Sequence, residues 1–259
     1  MIAITPSQKG EQVFGPNLQR IALLRDQVGE WDRFPFTVPA LASFESLAVR
    51  SRVVFFTGEN GSGKSTLLEA LADHAGFGRE GGTRNVRLST RDDAEEPRPL
   101  SDALRLTWKK KPAGGFFLRA ESFFNVATYL ESIDVTYGRV PLHELSHGEA
   151  FLALFVNRFD GPGFYLLDEP EAALSPQRQL SLLVRMHDML NGSNDVQFVI
   201  ATHSPILLAF PGAQILSFDG PHIREIAYEQ TEPYTIVRSF LGNPERYLAR
   251  LFAPEPDAD

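Results

Sequence analysis

The stretch GENGSGKS (58–65) restricts the possible folds more than any other part of the chain. It follows RVVFFT (52–57), a short run of β-branched and aromatic residues that reads as a buried strand. It precedes KSTLLEALADHA (64–75), an amphipathic segment closed by Gly76 that reads as a helix. A loop of the form G-x-x-x-x-G-K-S between a strand and a helix is a phosphate cradle. Gly58, Gly61 and Gly63 let the backbone turn and aim its N–H groups at phosphate oxygens. The helix start adds its positive end. In such a loop Lys64 reaches the β- and γ-phosphates and Ser65 ligates Mg²⁺. Glu59, Asn60, Ser62 and Thr66 complete the expected nucleotide-contacting run. The bland alternative is a glycine turn with a chance lysine, which the flanking strand and helix argue against.

Two further apolar runs end in polar groups. FYLLDEPE (164–171) is a strand ending in Asp168 and Glu169, and VQFVIATHSP (196–205) is a strand ending in Thr202, His203 and Ser204. Ligands in open α/β sheets bind at the carboxyl ends of strands, so all three ends converge on one edge. There Asp168 suits Mg²⁺, and Glu169 suits orienting or deprotonating a water. An imidazole at His203 suits a hydrogen bond to the γ-phosphate. Taken singly, acids after a strand only begin a loop, and a lone histidine is more often structural.

The remaining chain reads as alternating elements. LQRIALLR (18–25) and FPFTVPAL (34–41) read as strands, LSDALRLTWKKK (100–111) as a helix, and GFFLRA (115–120) as a strand. ESFFNVATYLESI (121–133) and residues 148–158 read as helices, as does a segment from Ser175–Pro176 to Asn191–Gly192, with serine at the N-cap. QILSFD (214–219) and HIREIAYE (222–229) read as a hairpin around Gly220, and NPERYLARLF (243–252) as a last capped helix. Apolar strands alternating with helices imply a mainly parallel sheet covered on both faces. The expected organisation is one domain over 1–259, with a small helical lobe at 77–145 and loose ends at 1–17 and 253–259. The chain has no cysteine, which fits a reducing cytoplasm, and no run of about 18 apolar residues that would insert in a membrane. The formal charge of −8 argues against a nucleic-acid-coating role.

GENGSGKST, LSHGE (145–149), LLDEPEAALSP (166–176) and THS (202–204), in that order, resemble the motifs of the ATP-binding cassette (ABC) ATPases. The resemblance covers roughly residues 50–210, and is nearer to the chromosome-maintenance and repair branch, without its coiled-coil arms. It implies a P-loop α/β core with N-terminal antiparallel strands, MgATP as substrate and hydrolysis to ADP and phosphate. It also implies a head-to-tail homodimer with ATP between two copies. Lys64, Ser65, Asp168, Glu169 and His203 would act from one copy, and Ser146 and Gly148 from the other, the sites linked by a D-loop at Leu174–Ser175. Ser146 and Glu149 also fit a plain capping box.

The chain departs from that pattern. No glutamine occurs in 67–144, where the family places one near the metal; Glu121 is the candidate substitute, or else a first-turn helix acid. His147 stands where glycine is usual. Phe34 and Phe36 are the candidate adenine-stacking rings, or else core. TWKKK (107–111) makes DNA a candidate partner, or else is a solvated helix end. The expected function is an ATPase switch acting on DNA or a partner protein in repair or defence. The alternatives are a transporter's ATP-binding subunit and a non-hydrolysing scaffold.

Overall fold

The computed structural model describes residues 16–78, 81–83, 99–121, 147–158 and 161–253, with the backbone alone at 147, 148, 154 and 156–158. The elements run β1 (Leu18–Leu23), α1 (Pro39–Ser43), β2 (Ser46–Ala48), β3 (Val53–Thr57), α2 (Lys64–Ala75), α3 (Pro99–Ala103), β4 (Leu104–Trp108) and β5 (Gly115–Arg119). They continue with α4 (His147–Arg158), β6 (Gly163–Asp168), α5 (Pro176–Gly192), β7 (Val196–Ala201), α6 (Pro205–Leu208), β8 (Gln214–Ser217), β9 (Arg224–Ile226), α7 (Glu232–Gly242) and α8 (Pro244–Leu251).

The main sheet has the order β5-β6-β7-β3-β8-β9, parallel except for the closing β8–β9 hairpin. Alternation along each strand assigns its residues to two cores. Val53 and Phe55, Phe116 and Leu118, Tyr165 and Leu167, and Phe198 and Ile200 face one side. There α4 and α5 cover them with Phe151, Phe155, Leu182 and Met186. Val54 and Phe56, Phe117, Phe164 and Leu166, and Val199 and Ala201 face the other. That side is covered by Leu67, Leu68 and Leu71 of α2 and by the antiparallel sheet β2-β1-β4. Both faces being buried is why these strands read as unbroken apolar runs.

Two buried glutamines join the sheets. Gln197 on β7 accepts from the Leu18 N–H (2.8 Å) and donates to the Leu18 carbonyl (3.3 Å). Gln214 on β8 accepts from the Arg50 N–H and donates to the Ala48 carbonyl, both at 2.9 Å. Each supplies a backbone edge with a partner that burial would otherwise remove.

Three expectations change. Residues 34–41 do not form a strand: turns run from Phe34 to Thr37, and α1 begins at Pro39. Prolines at 35 and 39 remove N–H donors that a paired strand requires. Residues 100–111 are a short helix followed by β4, because Leu104–Trp108 pairs with β1 in the antiparallel sheet. Ser175 occupies the N-cap of α5 as expected, but its side chain makes no capping hydrogen bond. The helix expected at 121–133 lies outside the described residues apart from Glu121.

Candidate functional site

Residues Gly58 to Ser65 leave β3, turn, and enter α2. Gly58 has φ +142° and Gly63 φ +99°, backbone regions that side chains rarely adopt. A Cβ on Gly63 would lie 2.8 Å from the Leu41 side chain, so α1 packs directly on the loop. Glu59 donates its N–H to Asp219 (2.9 Å), which also accepts from the Ser217 hydroxyl (3.0 Å). The loop's outer edge is therefore pinned by the end of β8, a support that no motif announces.

Lys64 is buried, with its ammonium donating to the carbonyls of Gly58 (2.6 Å) and Glu59 (2.8 Å). Burial lowers its pKa, against the opposing pull of Glu169, Asp168 and Asp219. The Ser65 hydroxyl donates to one carboxylate oxygen of Asp168 at 2.9 Å. Asp168 is 5% exposed; burial pushes its carboxyl up, while Arg119 and Ser65 hold it down. Thr66 is half-buried in the first turn of α2, and Asn60 and Gly61 form the exposed tip. The Ser62 hydroxyl is buried without a partner.

Arg119 is a participant that the sequence did not signal. Parallel pairing sets Arg119 opposite Asp168. Its guanidinium lies 2.8 Å from Glu69, 3.5 Å from Glu121 and 3.5 Å from the second Asp168 oxygen. Ser65, Arg119, Glu121, Asp168 and Glu169 line one cleft of about 350 Å³. Glu121 thus faces the same cleft as Ser65 and Asp168, with its side chain 88% exposed. Replacing Arg119 with Met leaves buried Asp168 with Lys64 as its remaining cation. The empty protein should lose on the order of 2 kcal/mol in a denaturant titration. MgATP should restore much of that loss. An unchanged midpoint would show that the pair contributes nothing.

Glu169 has φ +48°, the one non-glycine positive φ among the described residues. Its N–H donates to the Ala201 carbonyl (2.9 Å), and its carboxylate lies 3.7 Å from His203 Nε2. His203 Nε2 is buried without a hydrogen-bond partner, and burial and then Lys64 lower the imidazole pKa. Both favour the neutral ring. The His203 N–H donates to Glu171 at 2.5 Å. Burial raises the Glu171 pKa from its usual 4.5, with the His203 N–H opposing. A raised native carboxyl pKa contributes stability that is full below 4.5 and lost as pH rises through the native value. Glu171→Gln should therefore melt higher than the parent at pH 8 and lose that advantage at pH 4. A lower melting point at pH 8 would overturn this.

Leu174 and Ser175 connect to the same edge. Gln179 donates to the Leu174 carbonyl (3.0 Å) and accepts from the Ser204 hydroxyl (2.5 Å). One buried side chain therefore joins the turn before α5 to the residue after His203. Gly148 lies in the first turn of α4, which begins at His147. Glu149 pairs with Arg178 of α5 at 3.2 Å. Ser146 lies outside the described residues.

The two aromatic candidates are separated. Phe36 is buried against Trp31 at 5.3 Å, and Phe34 is 66% exposed. The large cleft beside Glu59–Ser62, about 1130 Å³, is instead lined on one side by Val38, Pro39 and Ala40. Trp108 of the basic cluster packs edge-on against Phe164, and Lys110 pairs with Asp195.

Ser65 and Asp168 together present hard oxygen donors, which fits Mg²⁺ held largely by phosphate and water. Among the described residues no cluster of three or more His, Cys, Asp or Glu could hold a metal without such help. No helix among them is long and apolar enough to cross a membrane.

Residues 130–209 match the family described as "AAA domain, putative AbiEii toxin, Type IV TA system". The match includes Asp168, Glu169 and His203 and stops short of the glycine loop. A search of curated proteins finds no match. Solved structures similar to this chain include "An inward-facing conformation of a putative metal-chelate type ABC transporter". It is 15% identical over 87% of this chain and 89% of that one, with a TM-score of 0.48. They also include the SMC head domain from Thermotoga maritima, 14% identical over 81% and 98%, with a TM-score of 0.40. A third is cbiO1 from Clostridium perfringens, part of the ABC transporter complex cbiONQ, 17% identical over 80% and 89%, with a TM-score of 0.44. The described residues form a mainly parallel α/β sheet with a glycine-rich loop between β3 and α2.

Proposed function

We propose that this chain binds MgATP, hydrolyses it, and works as an ATP-sandwiched homodimer that switches a macromolecular partner. The observation that carries the reading is Glu169. A non-glycine residue in the left-handed region is strained by about 1–3 kcal/mol, and this one stands at the end of β6 beside the glycine loop. Strain held at a strand's carboxyl end, with an unpartnered imidazole 3.7 Å away, fits a group that must face a reacting water.

In this reading Lys64 leaves the Gly58 and Glu59 carbonyls and binds the β- and γ-phosphates. The loop N–H groups from Glu59 to Thr66 hold phosphate oxygens. Ser65 and Asp168 hold Mg²⁺, with Glu121 a further oxygen donor at the cleft mouth. The metal supplies charge neutralisation on the phosphates. Glu169 takes the proton of water as its oxygen forms a bond to the γ-phosphorus and the bond to the β-phosphate oxygen breaks. His203 steadies that water or the γ-phosphate. Ser146 and Gly148 of a second copy cover the phosphates through the start of α4. Gln179 would carry movement at Leu174–Ser175 to Ser204.

The toxin–antitoxin wording of the matched family supports placing the switch in defence. The test is MgATP turnover with light scattering across protein concentrations. Turnover per chain should rise with concentration, and ATP should convert monomer to dimer. Failure to bind MgATP at millimolar concentration would end the proposal.

A further inference from the structure

We propose that the cleft between α7 and α8 binds single-stranded nucleic acid. The inference names a partner class for the switch proposed above, but it rests on a separate surface and needs no ATP turnover.

The cleft has a volume of about 590 Å³ and draws its walls from both C-terminal helices. Arg238, Arg246 and Arg250 converge on it, with Glu229 the one acid in its lining. Arg246 and Arg250 stand one turn apart on the same side of α8, about 6 Å along the axis. Arg238 reaches in from α7, where its guanidinium donates to the Tyr234 hydroxyl at 2.5 Å, a neutral partner. Among the described residues no carboxylate forms an ion pair with any of the three. A chain of formal charge −8 thus sets three arginines against one acid in a single concavity. Guanidinium groups left without anions beside one another repel, and a phosphate chain is the complementary occupant.

Two aromatic rings interleave with the arginines. Tyr234 and Tyr247 both line the cleft and are half-buried. Tyr234 is braced by Tyr228, with ring centres 4.6 Å apart, and Tyr247 stands edge-on to Phe240 at 5.7 Å. Held tyrosines beside arginines suit a polyanion whose bases have stacking faces. A paired duplex hides those faces, which favours single strands. An anionic membrane is flat and would meet the exposed apolar residues Leu248, Leu251 and Phe252, none of which lines the cleft. The arginines turn instead into the concavity.

The test is fluorescence anisotropy with labelled dT20 and rU20, without nucleotide, over a salt series. Three phosphate contacts predict a log–log salt slope of about −2 for single strands. Arg246→Ala/Arg250→Ala should weaken binding at least about tenfold at low salt and flatten the slope to about −0.7. Arg246→Lys/Arg250→Lys should keep the slope, which separates charge from damage to the fold. Lys109→Ala/Lys110→Ala/Lys111→Ala should bind as the parent does. The stronger of the two probes identifies the sugar preferred. Equal binding by the parent and the double alanine chain overturns the proposal. So does binding of phosphatidylserine vesicles with no binding of either oligonucleotide. MgATP binding, measured on the same samples, reports separately on the nucleotide site.

Discussion

A Glu169→Gln chain should bind MgATP as the parent does, turn it over about 10²–10⁴-fold more slowly, and accumulate as a dimer. The amide keeps the size of the carboxylate and its place 3.7 Å from His203, but cannot take a proton. The backbone N–H to Ala201 is unaffected by the change, so the left-handed turn persists. Single-turnover kinetics with light scattering measures both parts. A variant that hydrolyses within threefold of the parent would remove Glu169 from the chemistry. A variant that is slow but monomeric would retain the base and remove the sandwiched dimer. Because Glu169 is the strained residue, a Glu169→Gly chain separates strain from chemistry. It should melt no lower than the parent and be equally inactive, since glycine adopts φ +48° freely.

Gly115→Ala should have the largest effect on stability, on the order of 3–4 kcal/mol. Its backbone has φ +140°, and an added Cβ would lie 2.0 Å from the Phe164 carbonyl oxygen. That oxygen belongs to the neighbouring strand, so relief requires β5 to move from β6. The same pairing sets Arg119 opposite Asp168. Loss of stability should therefore come with weakened MgATP binding. Gly192→Ala, where an added Cβ meets nothing within 4 Å, should change stability little. Denaturant midpoints and titrations with a fluorescent ATP analogue measure both effects. A Gly115→Ala midpoint within about 0.5 kcal/mol of the parent would show that the strands separate easily there.

The convergence of the glycine loop, Asp168, Glu169 and His203 on one sheet edge was legible because each stands at the end of an apolar strand. Period-two burial on both faces made those strands plain. The fold class followed from the same alternation. The segments misread were those whose structure depends on partners distant in the chain. Residues 104–108 form a strand by pairing with β1; the alternation in LRLTW is compatible with that, but five residues are too few to settle strand against helix locally. Val38–Ala40 border the nucleotide-side cleft because α1 packs on Gly63, whereas Phe36 sinks into the core.

Arg119, Asp219 and Gln179 show the same division. Each acts across a sequence gap of 25 residues or more, on Asp168, Glu59 and Ser204 respectively. No local pattern marks them, since an arginine at a strand end, an aspartate just past another strand and a glutamine in the first turns of a helix are each ordinary in sequence. Phosphate-binding loops and strand-end acids are local arrangements of backbone and side chain, so the residue order alone points to phosphate chemistry. How that loop and those acids are supported depends on contacts between distant segments. Strand register, the approach of β5 to β6 at Gly115 and the closure of α1 on the loop arise from long-range packing, whose partners are chosen by the whole fold.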